Sequence, residues 1–248
     1  GLPDYYDTEY KSTNYTEGRT PGDWSIMDQG SYNNDGNTPP NYSIFDKYYL
    51  GWLTPKFLAK DAIDNVTLTT AYGDGYQITG GTSRVAYTNT NTLYYIENRQ
   101  KSGWDAYLPG HGMVVWQVKY NATNWNNNNL NNTGGSPRYT VLSASGNPKN
   151  IGKTTDPFPG TGTVKTWTPF TGCALTDITE SAGNITFKYN GGIDCHAVVT
   201  NGTGCTITPS TTCVENGNSF TATITPTDET YDYTSLTVKL GSTTLTSG

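Results

Sequence analysis

The chain has 248 residues, of which only 15% are charged, and a formal net charge of −6 at neutral pH. That balance leaves no basic face for phosphate contacts, so a nucleic-acid partner is not expected. No apolar run approaches the roughly 20 residues a helix needs to cross a bilayer, so no membrane span is expected either. The 28 Gly, 13 Pro and 19 Tyr, with abundant Thr and Asn, favour short strands joined by many turns.

In chain order, the first notable segment is Gly1-Leu2-Pro3-Asp4-Tyr5-Tyr6-Asp7, followed downstream by Trp24-Ser25-Ile26-Met27-Asp28. Alone, Leu-Pro-Asp reads as a loop, because Pro fixes its own dihedral, restricts the residue before it, and leaves Asp to cap the next turn. A lone Met reads as core filler. Asn33-Asn34-Asp35-Gly36-Asn37 has the oxygen-rich, Gly-bent character of a calcium loop, with Asp35 and Asn37 as candidate ligands, and also that of an ordinary turn. Asn41-Tyr42-Ser43 offers a helix cap. Ile44, Phe45, Tyr48 and Tyr49 then recur at helical steps until Gly51 ends the pattern.

Strand periodicity follows over 66–70, 76–79, 84–87, 92–98, 113–119, 139–143 and 184–188, which suggests an antiparallel sandwich. Alternation places Tyr95, Met113, Val115 and Phe187 inward, with Trp52 packed against them. Glu97 and Arg99 are two apart, so in a strand they share a face and are candidates for a buried ion pair. Trp104, Asp105, Tyr107 and His111 follow in a loop, where this polar set either lines a cleft or pins the loop to the sheets. The stretch 121–132 is rich in Asn but holds no carboxylate, a poor cation loop. Cys173, Cys195, Cys205 and Cys213 show no metal-site spacing, and both disulfides and free thiols fit them. Cys205 and Cys213 flank Thr208-Pro209-Ser210 and would face each other if it closed a hairpin. Gly191-Gly192 reads as a break, and strands over 197–200, 219–225 and 235–240 make only part of a further sandwich.

The first two segments acquire a joint meaning from their spacing. In metzincin-type proteases two His ligands and a catalytic Glu lie on a helix as H-E-x-x-H; a Gly then turns the chain, and a His or Asp three positions later supplies the third zinc ligand. Gly1 and Asp4 have that spacing. The chain most resembles the immune inhibitor A-like secreted zinc metalloproteases (peptidase family M-six), whose helix motif runs into G-L-P-D-x-Y-D. An I-M-x-x-G-S-Y/W stretch follows in that family, as in Ile26-Met27-Asp28-Gln29-Gly30-Ser31-Tyr32. Further pieces in the expected order are Tyr49-Leu50-Gly51-Trp52-Leu53-Thr54-Pro55, Tyr95-Ile96-Glu97-Asn98-Arg99-Gln100, Gly103-Trp104-Asp105, Pro109-Gly110-His111-Gly112-Met113 and Asp156-Pro157-Phe158-Pro159-Gly160.

The resemblance implies a mainly β chain in three parts. Residues 1–54 would be the end of a metzincin-like catalytic domain, 55–190 an antiparallel β-sandwich, and 191–248 a linker and partial Ig-like module of the kind appended to secreted bacterial enzymes. It implies zinc as cofactor, a protein or peptide substrate, and secretion or display at the cell surface; related proteases also carry structural calcium. Asp4 becomes the candidate third ligand, with Gly1 and Met27 supporting the site. Both His ligands and the general base would precede residue 1, so no catalytic residue is expected here and this chain alone should be inactive. The competing class is a carbohydrate- or protein-binding module, with Trp104, Trp116, Trp125 and Trp167 as stacking platforms; a structural spacer is a third.

Overall fold

The computed structural model describes residues 1–9, 20–88, 90–132, 137–147, 152–193, 195–197, 203–211, 213–215, 220–227, 238–240 and 243–245. The chain is mainly β and divides into two compact units, residues 1–192 and 193–248. Both 1–54 and 55–190, expected as separate parts, lie within the first unit.

In the first unit, β1 (Lys56–Leu58), β3 (Gly75–Ile78), β4 (Leu93–Arg99), β5 (Gly112–Val118) and β6 (Tyr139–Leu142) form a five-stranded sheet in the order β1-β3-β4-β5-β6. It is antiparallel except for β1, which runs parallel to β3. A second antiparallel sheet pairs β2 (Asp64–Leu68) and β7 (Leu175–Ser181) with the two edges of β8 (Asn184–Tyr189). One face of the large sheet shares a core with the small one, built from Ile78, Ile96, Met113 and Val115 against Val66, Leu68, Ile185 and Phe187.

The other face of the large sheet is buried too. Leu93, Tyr95, Val114, Trp116 and Val118 meet Tyr5, Trp24, Ile44, Phe45 and Trp125 there. Tyr95 therefore points away from Met113 and Val115 rather than with them. The alternation rule failed because a sheet covered on both sides has no polar face to mark the register. Trp52 does not pack on the sheets: it is 54% exposed and meets Tyr42 edge-on.

Helix α1 (Ile44–Tyr49) starts at Ser43 with a reciprocal cap, in which Ser43 Oγ accepts from the Asp46 amide and the Asp46 carboxylate accepts from the Ser43 amide. It can lie directly on the sheet because the facing residue is Gly75. A Cβ there would sit 2.7 Å from the Ile96 carbonyl oxygen and 2.8 Å from Ile44 Cγ1. The short helix α2 (Ala122–Asn126) buries Trp125 in the same layer. The strand expected over 84–87 is irregular backbone. The Gln77 side chain bonds both the N–H and the C=O of Val85, at 3.3 and 2.8 Å, so an amide replaces the neighbouring strand.

Among the described residues of the second unit, six short strands form three antiparallel pairs. These are β9 (Cys195–Ala197) with β11 (Cys213–Glu215), β10 (Cys205–Pro209) with β12 (Ala222–Pro226), and β13 (Val238–Leu240) with β14 (Thr243–Leu245). Cys205 is opposite Pro226 and carries a free thiol, because β10 takes β12 as partner instead of turning back on 213–215. Cys173 is buried and free; the side chains of Cys195 and Cys213 lie outside the described set.

Candidate functional site

The segment holding Asp4 is fixed from two sides. On one, the Tyr5 amide donates to the Met27 carbonyl at 2.9 Å, which lays 1–7 against the turn that carries Met27. That turn is anchored by two carboxylates. Asp28 accepts from the Gly22 and Gln29 amides at 2.7 and 2.8 Å. Asp156, fully buried, accepts the Trp24 indole N–H at 2.9 Å and two backbone N–H groups through the same oxygen. Burial raises the Asp28 carboxyl pKa, although donors from Thr20, Gly22 and Gln29 oppose the shift. Below, the Tyr5 hydroxyl donates to Asp46 Oδ1 at 2.6 Å, and the Tyr5 and Tyr139 rings stack with centroids 4.0 Å apart.

On the other side, side-chain amides of the Asn-rich loop act as a stand-in strand. Asn128 accepts from the Asp4 amide at 2.5 Å and donates Nδ2–H to Asp4 Oδ2 at 2.6 Å. Asn132 repeats this reciprocal pattern on Thr8, accepting from its N–H at 3.0 Å and donating to its hydroxyl at 2.7 Å. Asn131, buried between them, donates to the carbonyls of Tyr5 and Tyr139 and accepts from the Arg138 amide. An amide carries donor and acceptor in the spacing of a peptide group, which is why Asn suits this task where a carboxylate would not. The Tyr6 hydroxyl also donates to Asp4 Oδ2, at 3.1 Å. Asp4 Oδ2 thus has two donors, whereas Oδ1 has none among the described residues.

Glu97 and Arg99 do share a face of β4, but the partner that dominates is Asp105, from a 3-10 turn over Gly103–Tyr107. Asp105 grips the guanidinium bidentately, with Nε at 2.8 Å and Nη2 at 2.6 Å, while Glu97 Oε1 lies 3.2 Å from Nη1. Trp116 Nε1 donates to the same Glu97 oxygen at 2.9 Å, and Asn41 bonds the cluster through its carbonyl and its amide. Burial alone would lower the Arg99 pKa; the charges of Glu97 and Asp105 outweigh it, so the cation is held above its ordinary value. His111 is not part of this cluster. Half exposed, it places Nδ1 2.8 Å from Glu180 Oε1 at the edge of an open cleft with Lys165 and Thr179.

Asp35 and Asn37 are exposed in a loop closed by its own backbone, where Asn34, Asp35 and Gly36 take left-handed φ of 53°, 54° and 80°. The Asn37 side chain donates to the Asn34 carbonyl at 2.9 Å. Among the described residues no three His, Cys, Asp or Glu side chains gather around one point. Of the Trp residues weighed as stacking platforms, Trp116 and Trp125 are core, Trp167 packs half-buried against Tyr94 and Phe158, and Trp104 is exposed. Asn128, Asn131 and Asp156 were missed as site-forming residues because their partners are more than 120 positions away. No family model, curated protein or solved structure matches the chain.

Proposed function

We propose that this chain is part of a secreted zinc metalloendopeptidase of the immune inhibitor A-like type, with Asp4 as the third metal ligand. On this reading residues 1–54 belong to its catalytic domain and residues 193–248 are Ig-like. The observation that carries the proposal is the 2.9 Å hydrogen bond from Tyr5 to Met27, which packs the Gly1–Asp4 turn onto the Ile26–Met27 turn. Two segments related only by motif spacing are thereby neighbours in space. The donor pattern at Asp4 also suits a ligand: with both donors on Oδ2, Oδ1 is left for monodentate coordination, and Asn128 and Tyr6 hold its direction. On this reading the remaining ligands and the general base are supplied by residues preceding Gly1; His111, paired with Glu180, lies outside the Asp4 site.

Bound zinc supplies a Lewis acid that polarises a peptide carbonyl and lowers the pKa of a coordinated water. The residues of this chain orient one ligand, and the Met27 turn buttresses it from beneath. A protein extended upstream in its own reading frame should contain one zinc per chain by elemental analysis and show chelator-sensitive proteolysis. Asp4→Ala in that protein should lose zinc on dialysis, and Asn128→Ala should weaken retention by about 10–100-fold, as expected for a partner that orients a ligand. Full zinc occupancy in Asp4→Ala would overturn the assignment.

A further inference from the structure

A second site lies at the far end of the Glu97–Arg99–Asp105 cluster and is independent of the peptidase reading. These charged side chains floor a cleft of about 340 Å³, at the small end of the roughly 300–1,000 Å³ range of ligand sites. Its rim is aromatic: Trp52 and Tyr72 are 54% and 69% exposed, and Tyr42 braces Trp52 edge-on with ring centroids 5.4 Å apart. Large rings this exposed are a binding signal when they border a polar floor. The floor offers a specific unmet group. Glu97 is 95% buried as a residue (5% exposed), both of its donors fall on Oε1, and Oε2 has none among the described residues.

Charge selects the class of ligand. Glu97 and Asp105 are opposed by Arg99 and by Lys47, whose ammonium lies 5.2 Å from the Tyr72 ring centroid, and Asp74 is paired with Lys56 at 2.8 Å. The cleft is thus close to neutral, and a cation would meet Lys47 on the ring it needs. We infer that the cleft binds a neutral saccharide, one ring lying against Trp52 or Tyr72 through its C–H face and a hydroxyl donating to Glu97 Oε2.

The test uses the chain itself on a printed array of neutral cello-, malto- and chito-oligosaccharides together with sialylated and sulfated glycans, followed by titration calorimetry on the best neutral probe. At least one neutral series should bind, and at least one of Trp52→Ala and Tyr72→Ala, whichever removes the stacked ring, should weaken binding by about tenfold or more. Trp104→Ala, equally exposed but outside the cleft, should bind as the parent does. Because Trp52 and Tyr72 are surface residues, both variants should keep the parent's unfolding midpoint, so a loss of binding reports on the cleft. No neutral glycan bound at millimolar concentration would refute the site. So would tighter binding of the anionic glycans, or unchanged binding by both rim variants.

Discussion

Replacing Asp105 with Ala strips the deeply buried Arg99 guanidinium of its main partner. Among the described residues Arg99 makes four hydrogen bonds, of which Asp105 supplies two, and Asp105 also takes the Asn41 amide at 2.8 Å. Losing one member of a buried ion pair costs about 3–5 kcal/mol, because the other charge remains desolvated. Glu97 keeps one counter-charge beside the guanidinium, which puts the expected loss near the lower end, about 3 kcal/mol. With a urea m-value of about 2 kcal/mol/M, the midpoint should fall by roughly 1.5 M, read by circular dichroism and by tryptophan fluorescence. A companion variant that removes all three charges, Glu97→Gln with Arg99→Met and Asp105→Leu, should recover most of that loss. A midpoint shift below about 0.3 M for Asp105→Ala, or a triple variant no better than the single one, would show that the cluster is not energetically what its geometry implies.

Phe187→Ala should cost about 3–5 kcal/mol, since the ring is 3% exposed between the two sheets; a loss under about 1 kcal/mol in the same denaturation assay would contradict that packing. Asn131→Ala should cost about 2–4 kcal/mol by stranding the Tyr5 and Tyr139 carbonyls, and hydrogen exchange should quicken at the Tyr5 amide; unchanged exchange would argue against the clamp. Burial raises the Asp46 pKa in the folded state despite hydrogen bonds from Tyr5 and Ser43. The folded protein therefore keeps that proton longer, and Asp46's contribution is most favourable below about pH 4 and declines as pH rises through the folded value. The stability of the parent relative to Asp46→Asn should accordingly fall between pH 3 and pH 8, and a flat difference across that range would refute the assignment.

Local signals carried the helix and most of the large sheet. Ser43 with Asp46 three residues on is a capping box legible in any single sequence, and β3 to β6 and β8 alternate or run apolar strongly enough to be placed within a residue or two. β1 escaped because it has three residues after Pro55, and β7 because its register shifts between Thr176 and Thr179 and breaks the period. The direction of Tyr95 was illegible for a different reason: only the N-terminal segment and α1, distant in sequence, reveal that its face is buried. At the candidate site the Glu97–Arg99 pairing followed from strand geometry, whereas the dominance of Asp105 depends on how a 3-10 turn folds back. Nothing in the spacing of 121–132 announces that its amides would grip residues 4 to 8.

The chemistry of that grip sets the conditions under which the N-terminal segment stays in place. Apart from the Asn128 bond to the Asp4 carboxylate, Asn128, Asn131 and Asn132 hold it through amide bonds to backbone groups and a hydroxyl, and such bonds neither titrate nor weaken as electrolyte screens the Coulomb field. An ion-paired tether would loosen in brine; this one should keep residues 4 to 8 in register over a wide range of ionic strength.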